Sequence, residues 1–235
     1  MTDHEFRARI EVTATGVLTF VTGIVDAAGY LALDRVFTGN MTGNIVMLGM
    51  GVAGADELPV LGPSVALAAF TVAAWCAGLT LRRAREANPP GWQHQVTLLL
   101  TFGATVLTAL TLVAVWAGDD PAPAIQIGMA AATAAVMGSQ AVTARALAVA
   151  DMTTVVVTST LASLAGETWT RGGRGVLVNR RLGAIVVIFA GALVGALLLR
   201  VHLAAPFALA ATLTAVTARL GHRHLSPRSR AAVGH

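Results

Sequence analysis

The sequence predicts an all-α polytopic membrane helix bundle, with six transmembrane helices plus two short re-entrant segments in two inverted repeats. Three observations lead there. Of 235 residues, 55% are hydrophobic and only 12% charged, and the mean hydropathy is +0.71; a soluble domain carries about 25% charged residues. Six apolar stretches are long enough to cross a bilayer core, which takes roughly 20 residues of helix. The arginines, finally, fall at the ends of those stretches in a pattern that fixes which of them cross.

The first stretch, Val12–Leu33, follows Arg7 and Arg9 and contains the small pair Ala27-Ala28. That much looks like a secretory signal, but the apolar run continues to Leu33, further than a signal's apolar region needs. It reads as a first transmembrane helix. Next comes Met41–Ala53, of 13 residues, then Val60–Leu81, Val96–Ala117 and Ala124–Val149. A second 13-residue stretch, Thr153–Ala165, precedes Leu182–Leu199 and Val201–Ala218. The two short stretches have the length of re-entrant or half-helix segments.

Charge decides between re-entry and crossing. With a cytoplasmic N-terminus and two re-entrant segments, the clusters Arg7/Arg9, Arg82/Arg83/Arg85, Arg171/Arg174/Arg180/Arg181 and Arg219/Arg223/Arg228/Arg230 all lie inside, 13 of the 16 arginines. Asp56, Glu57, Asp119 and Asp120 then face out. If the short stretches crossed, the Arg82–Arg85 cluster would move outside. The excess of positive charge on cytoplasmic loops therefore favours six crossings plus two re-entrant segments, with both termini cytoplasmic.

An internal repeat points the same way. Gly23 recurs as Gly138, the pair Thr42…Asn44 as Thr158…Thr160, and Leu48 as Leu164. Residues 1–117 form the first repeat and 118–235 the second, together a single membrane domain. Each half reads long, short, long, long. Three crossings per half is an odd number, so the second half enters upside down, the arrangement that in transporters brackets a midplane site.

Several function classes are excluded. A net charge of +4 and a pI near 10.9 suggest nucleic acid, but the basic residues sit at the ends of apolar segments and not on an aromatic-interleaved patch. That they are all arginine reads as codon bias in an alanine-rich chain. Cys76 is the single cysteine, so neither a disulfide framework nor a cysteine metal site is available. Gly49, Gly51 and Gly54 fit GxGxxG, yet they end an apolar segment instead of linking strand to helix. Gly191 and Gly195 have the small-xxx-small spacing of close helix packing. His222-Arg223-His224 reads as solvated tail, Asn40-Met41-Thr42 as an accidental sequon, and Arg171–Gly175 as a loop with topogenic charge. With no HExxH, GxSxG or paired carboxylates, no catalytic residue, metal or cofactor is expected, and the protein is read as not an enzyme.

The candidate binding residues are Asp26, Thr38, Asn40, Thr42, Asn44, Gln140, Arg145, Thr158 and Thr160. Asp26 lies about two-thirds of the way across the core at ~1.5 Å per residue. A carboxylate there costs about 2.5–3.5 kcal/mol on insertion scales, which marks it as a proton or cation site or as a packing hydrogen bond. In "FTGNMTGN", Phe37 to Asn44, Thr38, Asn40, Thr42 and Asn44 can cap a helix start, and Gly39 and Gly43 permit positive φ. A helix beginning near Met41 would aim free N–H groups and a positive dipole into the membrane, where they attract an anion. "MTTVVVTST", Met152 to Thr160, repeats the device with hydroxyls. The helix starts near Met41 and near Val157 or Thr158 are expected to meet from opposite sides. Gln140 and Arg145 match Val25 and Tyr30 of the first half; Arg145 either reaches inward or snorkels to the interface.

The combination Gly23…Asp26-Ala27…Tyr30, then Asn40-Met41-Thr42-Gly43-Asn44, then Gly138…Gln140…Arg145…Thr158…Thr160 resembles the YoaK-type family of bacterial membrane proteins, catalogued as a domain of unknown function. The resemblance runs from Val12 to Leu220. In the second half the family reads Gln-Asn-Ala and Thr-Gly-Thr, where this chain has Ala141 for the asparagine and Ser159 for the glycine. Both departures argue against a matched polar site there. The resemblance implies membrane location and leaves activity open.

The functional expectation is a transporter or permease of a small solute, an anionic one among the candidates. Its partners are the lipid bilayer and a small-molecule solute, with no nucleic acid and with homo-oligomers permitted. The alternatives are a non-transporting membrane partner or assembly protein and an intramembrane enzyme.

Overall fold

In the computed structural model the described residues are 3–55, 58–87, 92–147 and 175–225. They form seven helices and no strand: α1 (Asp3–Ala32), α2 (Met41–Val52), α3 (Leu61–Ala87), α4 (His94–Ala117), α5 (Pro123–Ala146), α6 (Gly175–Leu199) and α7 (Ala204–Leu225). All but α2 are long and apolar enough to cross a membrane, so the six expected spans are present. Helices α1 and α3 overrun their apolar stretches at the polar ends, because hydropathy marks only the part suited to lipid. The short α2 starts where expected, at Met41. The second short segment, Thr153–Ala165, lies outside the described residues.

Lipid leaves no water to satisfy backbone or hydroxyl groups, and the threonines show the consequence. Thr71, Thr105, Thr133 and Thr214 each donate to the carbonyl four residues back, at 2.7–3.0 Å. A helix can thus be threonine-rich and still be apolar outside. Large side chains such as Trp75, Phe102, Trp116 and Phe189 are exposed, as suits a lipid-facing surface.

Between helices in lipid there is little hydrophobic drive, so close approach through small residues does the packing. Gly23 on α1 lies so near α6 that a methyl group there would strike the Ile188 carbonyl, and one at Gly191 would strike the Phe20 carbonyl. Gly195 sits 2.6–2.9 Å, measured from where its Cβ would be, from backbone atoms of Ile24. The spacing read as a packing motif is one. Gly138 on α5 abuts the Phe70 carbonyl of α3 in the same manner.

The main helix pairs are α1 with α6, α3 with α5 and α4 with α7, followed by α1 with α7 and α4 with α5. Every one joins a helix before residue 118 to a helix after it. The pairing is also unchanged when α1, α3 and α4 are exchanged for α5, α6 and α7.

The apolar core has two parts. One gathers Ala14, Leu18, Leu81, Trp92, Val96, Leu147, Ala218 and Leu225, and so brings together the start of α1, the end of α3, the start of α4 and the ends of α5 and α7. The larger part, around Ile24, Leu33, Leu107, Met129, Leu203 and Phe207, fills the middle and the opposite end. Phe6 and His224 meet edge to face at 6.0 Å, so both described ends of the chain share one face. His222 and His224 belong to the last turn of α7 and not to a tail; His224 is exposed, and His222 Nδ1 lies 3.4 Å from Thr97 Oγ1. At the other face Asp119 accepts from the Leu203 amide at 2.8 Å. His202 Nδ1 accepts from the Ala204 amide at 3.0 Å, so it has no proton to offer Asp119 3.7 Å away.

Candidate functional site

The site starts where α1 ends. Asp34 and Arg35 both take left-handed backbone, φ 55° and 53°, and reverse the chain. The Val36 amide then bonds to the Gly29 carbonyl at 3.3 Å, and only glycine at 29 leaves room for the Val36 carbonyl. From here the non-helical segment 36–40 runs back down α1. Thr38 and Gly39 reach the level of Asp26, and Gly39 lies against the Thr22 methyl. Helix α2 then leads the chain back: Gly51 packs on Leu58 and Val60, and Gly62 at the start of α3 lies beside Asp34 and Val36. The loop and α2 form a hairpin whose two ends lie at the same end of α1.

Two side chains hold that hairpin. Asp26 is buried, and its Oδ1 accepts from the Thr38 amide at 2.8 Å, the Gly39 amide at 2.6 Å and the Thr38 hydroxyl at 3.3 Å. Asn44, fully buried, grips the backbone of Phe37 from both sides: the Phe37 amide donates to Oδ1 at 2.9 Å and Nδ2 donates to the Phe37 carbonyl at 2.6 Å. Asn40 is the N-cap of α2 and accepts weakly from the Gly43 amide at 3.4 Å. Tyr30 stacks on Phe37 at 4.9 Å.

The Asp26 carboxyl thus takes the amides of Thr38 and Gly39, in the loop before α2. Neither Gly39 nor Gly43 has positive φ. They are required for space, Gly39 against Thr22 and Gly43 against the Phe37 ring.

Between α1, α2, α3 and α5 lies a cavity of about 650 Å³. Of the expected site residues it is lined by Asn40, Thr42, Gln140 and Arg145. Asp26, Thr38 and Asn44 stand behind its wall as supports, and Thr158 and Thr160 fall outside the described residues. Gln140 on α5 bridges to α1, its Nε2 donating to the Leu18 carbonyl at 3.0 Å and to Thr22 Oγ1 at 3.3 Å. Arg145 is exposed near the end of α5 and has no ion-pair partner among the described residues. No group of three or more metal-binding side chains occurs among the described residues.

Residues 14–220 match the family model described as "Protein of unknown function (DUF1275)". The chain belongs to the DUF1275 family. It is also 34% identical over 152 residues to UPF0700 transmembrane protein YoaK of Bacillus subtilis (strain 168). That alignment covers 65% of this chain and 64% of the relative, a little under two thirds of the relative's length. No solved structure matches. As a DUF1275 member named alongside a transmembrane relative, with six apolar spans, the chain is a multi-pass integral membrane protein.

Sequence reasoning about this DUF1275 chain missed the α1 wall of the cavity: Thr15, Thr19 and Thr22. The signal was present, since threonines at i, i+4 and i+7 share one helix face. They were passed over because single hydroxyls are cheap in an apolar helix, whereas Asp26 stands out.

Proposed function

We propose that the protein is a permease that binds a small polar solute in the cavity between α1, α2, α3 and α5. The observation that carries this reading is the cavity itself: about 650 Å³, within the size range of small-molecule sites. Buried polar groups line it at the level where the surrounding helices are otherwise apolar. Non-helical backbone at membrane depth is tolerated where it is enclosed by protein or lines a cavity, and the loop before α2 borders this one. Under this reading the hairpin of the loop and α2 re-enters the membrane, and Asp26 acts as its fixed anchor.

Two further features support transport. The exchange of helix pairs between halves is what an inverted repeat requires, with α1 and α5 as equivalent, oppositely directed helices on either side of the site. Thr15 and Thr22 give their protons to the carbonyls of Glu11 and Leu18, at 2.9 and 3.0 Å, which suits binding and leaves no activated nucleophile. The face that holds both chain ends carries Arg9, Arg82, Arg83, Arg145, Arg219 and Arg223, against Arg35 and Arg200 opposite, so we place it in the cytoplasm of an inner membrane.

The test is a solute screen read by thermal stabilisation of the purified protein, followed by uptake of the hits into proteoliposomes. Stabilisation and uptake should both be lost in Ala141→Phe, which fills the cavity from α5. Stabilisation without uptake would point to a sensor or membrane partner, and no stabilisation by any class of solute would overturn the reading.

A further inference from the structure

The long helices associate as three pairs, and the two pairs that flank the cavity are built as tight units. In the first, α1 and α6 run side by side: a methyl group at Gly23, Gly191 or Gly195 would strike the carbonyl of Ile188, Phe20 or Ile24 respectively. In the second, Gly138 of α5 meets the Phe70 carbonyl of α3 in the same way. Gly23 and Gly138 are the matching residues of the two halves, so exchanging the halves turns one contact into the other. Backbones packed this closely have no room to slide, and each pair moves as one piece.

The third pair, α4 and α7, carries both: α7 packs on α1, and α4 on α5. Between the flanking pairs themselves the contact is thin. Among the described residues their helices meet only where α1 touches α5, and α3 reaches neither α1 nor α6. The hairpin of the loop and α2 is hydrogen-bonded to Asp26 of α1 and only packed against α3, so it belongs with the first pair.

One polar side chain crosses the seam between α1 and α5. Gln140 Nε2 donates to the Leu18 carbonyl at 3.0 Å and to Thr22 Oγ1 at 3.3 Å. Thr22 accepts there, because its own proton goes to the Leu18 carbonyl at 3.0 Å. This tie has no counterpart. The residue of α1 that matches Gln140 is Val25, fully buried and apolar. Exchanging the halves therefore preserves the helix pairs and loses the tie.

Building on the permease reading, we propose that the pair α1 with α6 and the pair α3 with α5 rock against each other about this seam, and that Gln140 holds them in the arrangement seen here. The exchange of halves makes the reciprocal arrangement, with the cavity between α5, α6 and α1, a second packing of the same elements. Only the present arrangement contains the Gln140 hydrogen bonds, so they set the balance between the two. Gln140 is thus a positioning residue of the transport cycle, acting through Leu18 and Thr22.

The experiment reads distances between spin labels by pulsed electron paramagnetic resonance, in the detergent-purified full chain on a Cys76→Ser background. Labels at Thr80 and Leu182 span the flanking pairs at the end that holds both described chain ends, and labels at Leu61 and Leu197 span them at the opposite end. A third set, Thr13 and Leu182, lies within the first pair; all five side chains are exposed. Gln140→Leu should raise the population of a second distance roughly 3- to 30-fold, the worth of one hydrogen bond between membrane helices. That distance should be longer at one end and shorter at the other, while Thr13–Leu182 keeps a single value. Thr22→Val removes one of the two acceptors and should shift both ends in the same sense by less, which keeps the test decisive if Gln140→Leu does not fold. One unchanged distance at each end in both variants, or a change of the same sign at both ends, overturns the proposal. Uptake that Ala141→Phe blocks, without opposite motion of the two ends, leaves the permease reading standing and removes the rocking. Opposite motion without uptake of any solute supports the rocking and removes the permease reading.

Discussion

Asp26 Oδ1 stands 2.6 Å from the amide nitrogen of Gly39, thirteen residues further along the chain. With the Thr38 amide at 2.8 Å on the same oxygen, a carboxyl buried in a membrane-spanning helix turns the loop amides away from the cavity. It makes the hairpin before α2 a fixed part of the wall.

That relationship sets the first prediction. Asp26→Ala leaves the Thr38 and Gly39 amides unpaired and should lower stability by on the order of 2–3 kcal/mol. Asp26→Asn keeps an acceptor oxygen at the same place and should cost clearly less, about 1 kcal/mol. Thermal unfolding of both in detergent measures the difference. Equal losses in the two variants would mean that the carboxyl's charge, and not the hydrogen bonds, holds the loop.

The glycines make a second, sharply divided prediction. Gly23→Ala and Gly138→Ala press a methyl group into the Ile188 and Phe70 carbonyls of neighbouring helices, and both should destabilise the bundle strongly. Gly78→Ala and Gly128→Ala meet nothing within 4 Å; in a helix they should be neutral or stabilising by up to about 1 kcal/mol. Parallel melting curves of the four variants decide this.

Asp34 gives a pH prediction outside the spans. Partial burial raises its carboxyl above 3.8, against an opposing pull from Arg35. A raised acid favours the folded state while protonated, so its contribution is full below pH 3.8 and is lost as the pH rises through the folded value. Asp34→Asn stays neutral and tolerates the left-handed backbone at φ 55°. Its melting temperature should match the wild type in acid and equal or exceed it at neutral pH. A lower value at neutral pH would show that the charge is needed.

Much of the fold was legible because each membrane span announces itself by length and apolarity, and because Met41, after the capping residues Thr38 and Asn40, starts a helix. The site was only half legible. The spacing of TGN marked a turn before a helix, but the contact of Asp26 with its amides depends on the reversal at Asp34 and Arg35. Gly39 and Gly43 permit left-handed backbone most easily but do not take it. It fell instead to Asp34 and Arg35, where the chain must double back at once after α1. The cavity's α1 wall was hidden for another reason: threonines bonded to their own helix are polar only toward whatever lies beside them.

Topology gives a fourth prediction. Reporter fusions at His235 and Gly118 should report opposite sides of the membrane, the first cytoplasmic. Both described chain ends share one face, while α4 ends at the other, where Asp119 binds the Leu203 amide. Equal signals from the two fusions would break the six-span order.

The most direct measurement is the reactivity of a cysteine at Thr42, which is exposed and lines the cavity, on a Cys76→Ser background. The protein is held in membranes and treated with a membrane-impermeant thiol reagent. The expected result is reaction through an aqueous path, slowed several-fold when Ala141→Phe fills the cavity. No reaction from either side, or a rate indifferent to Ala141→Phe, would mean that the space between α1, α2, α3 and α5 is not an open solute site.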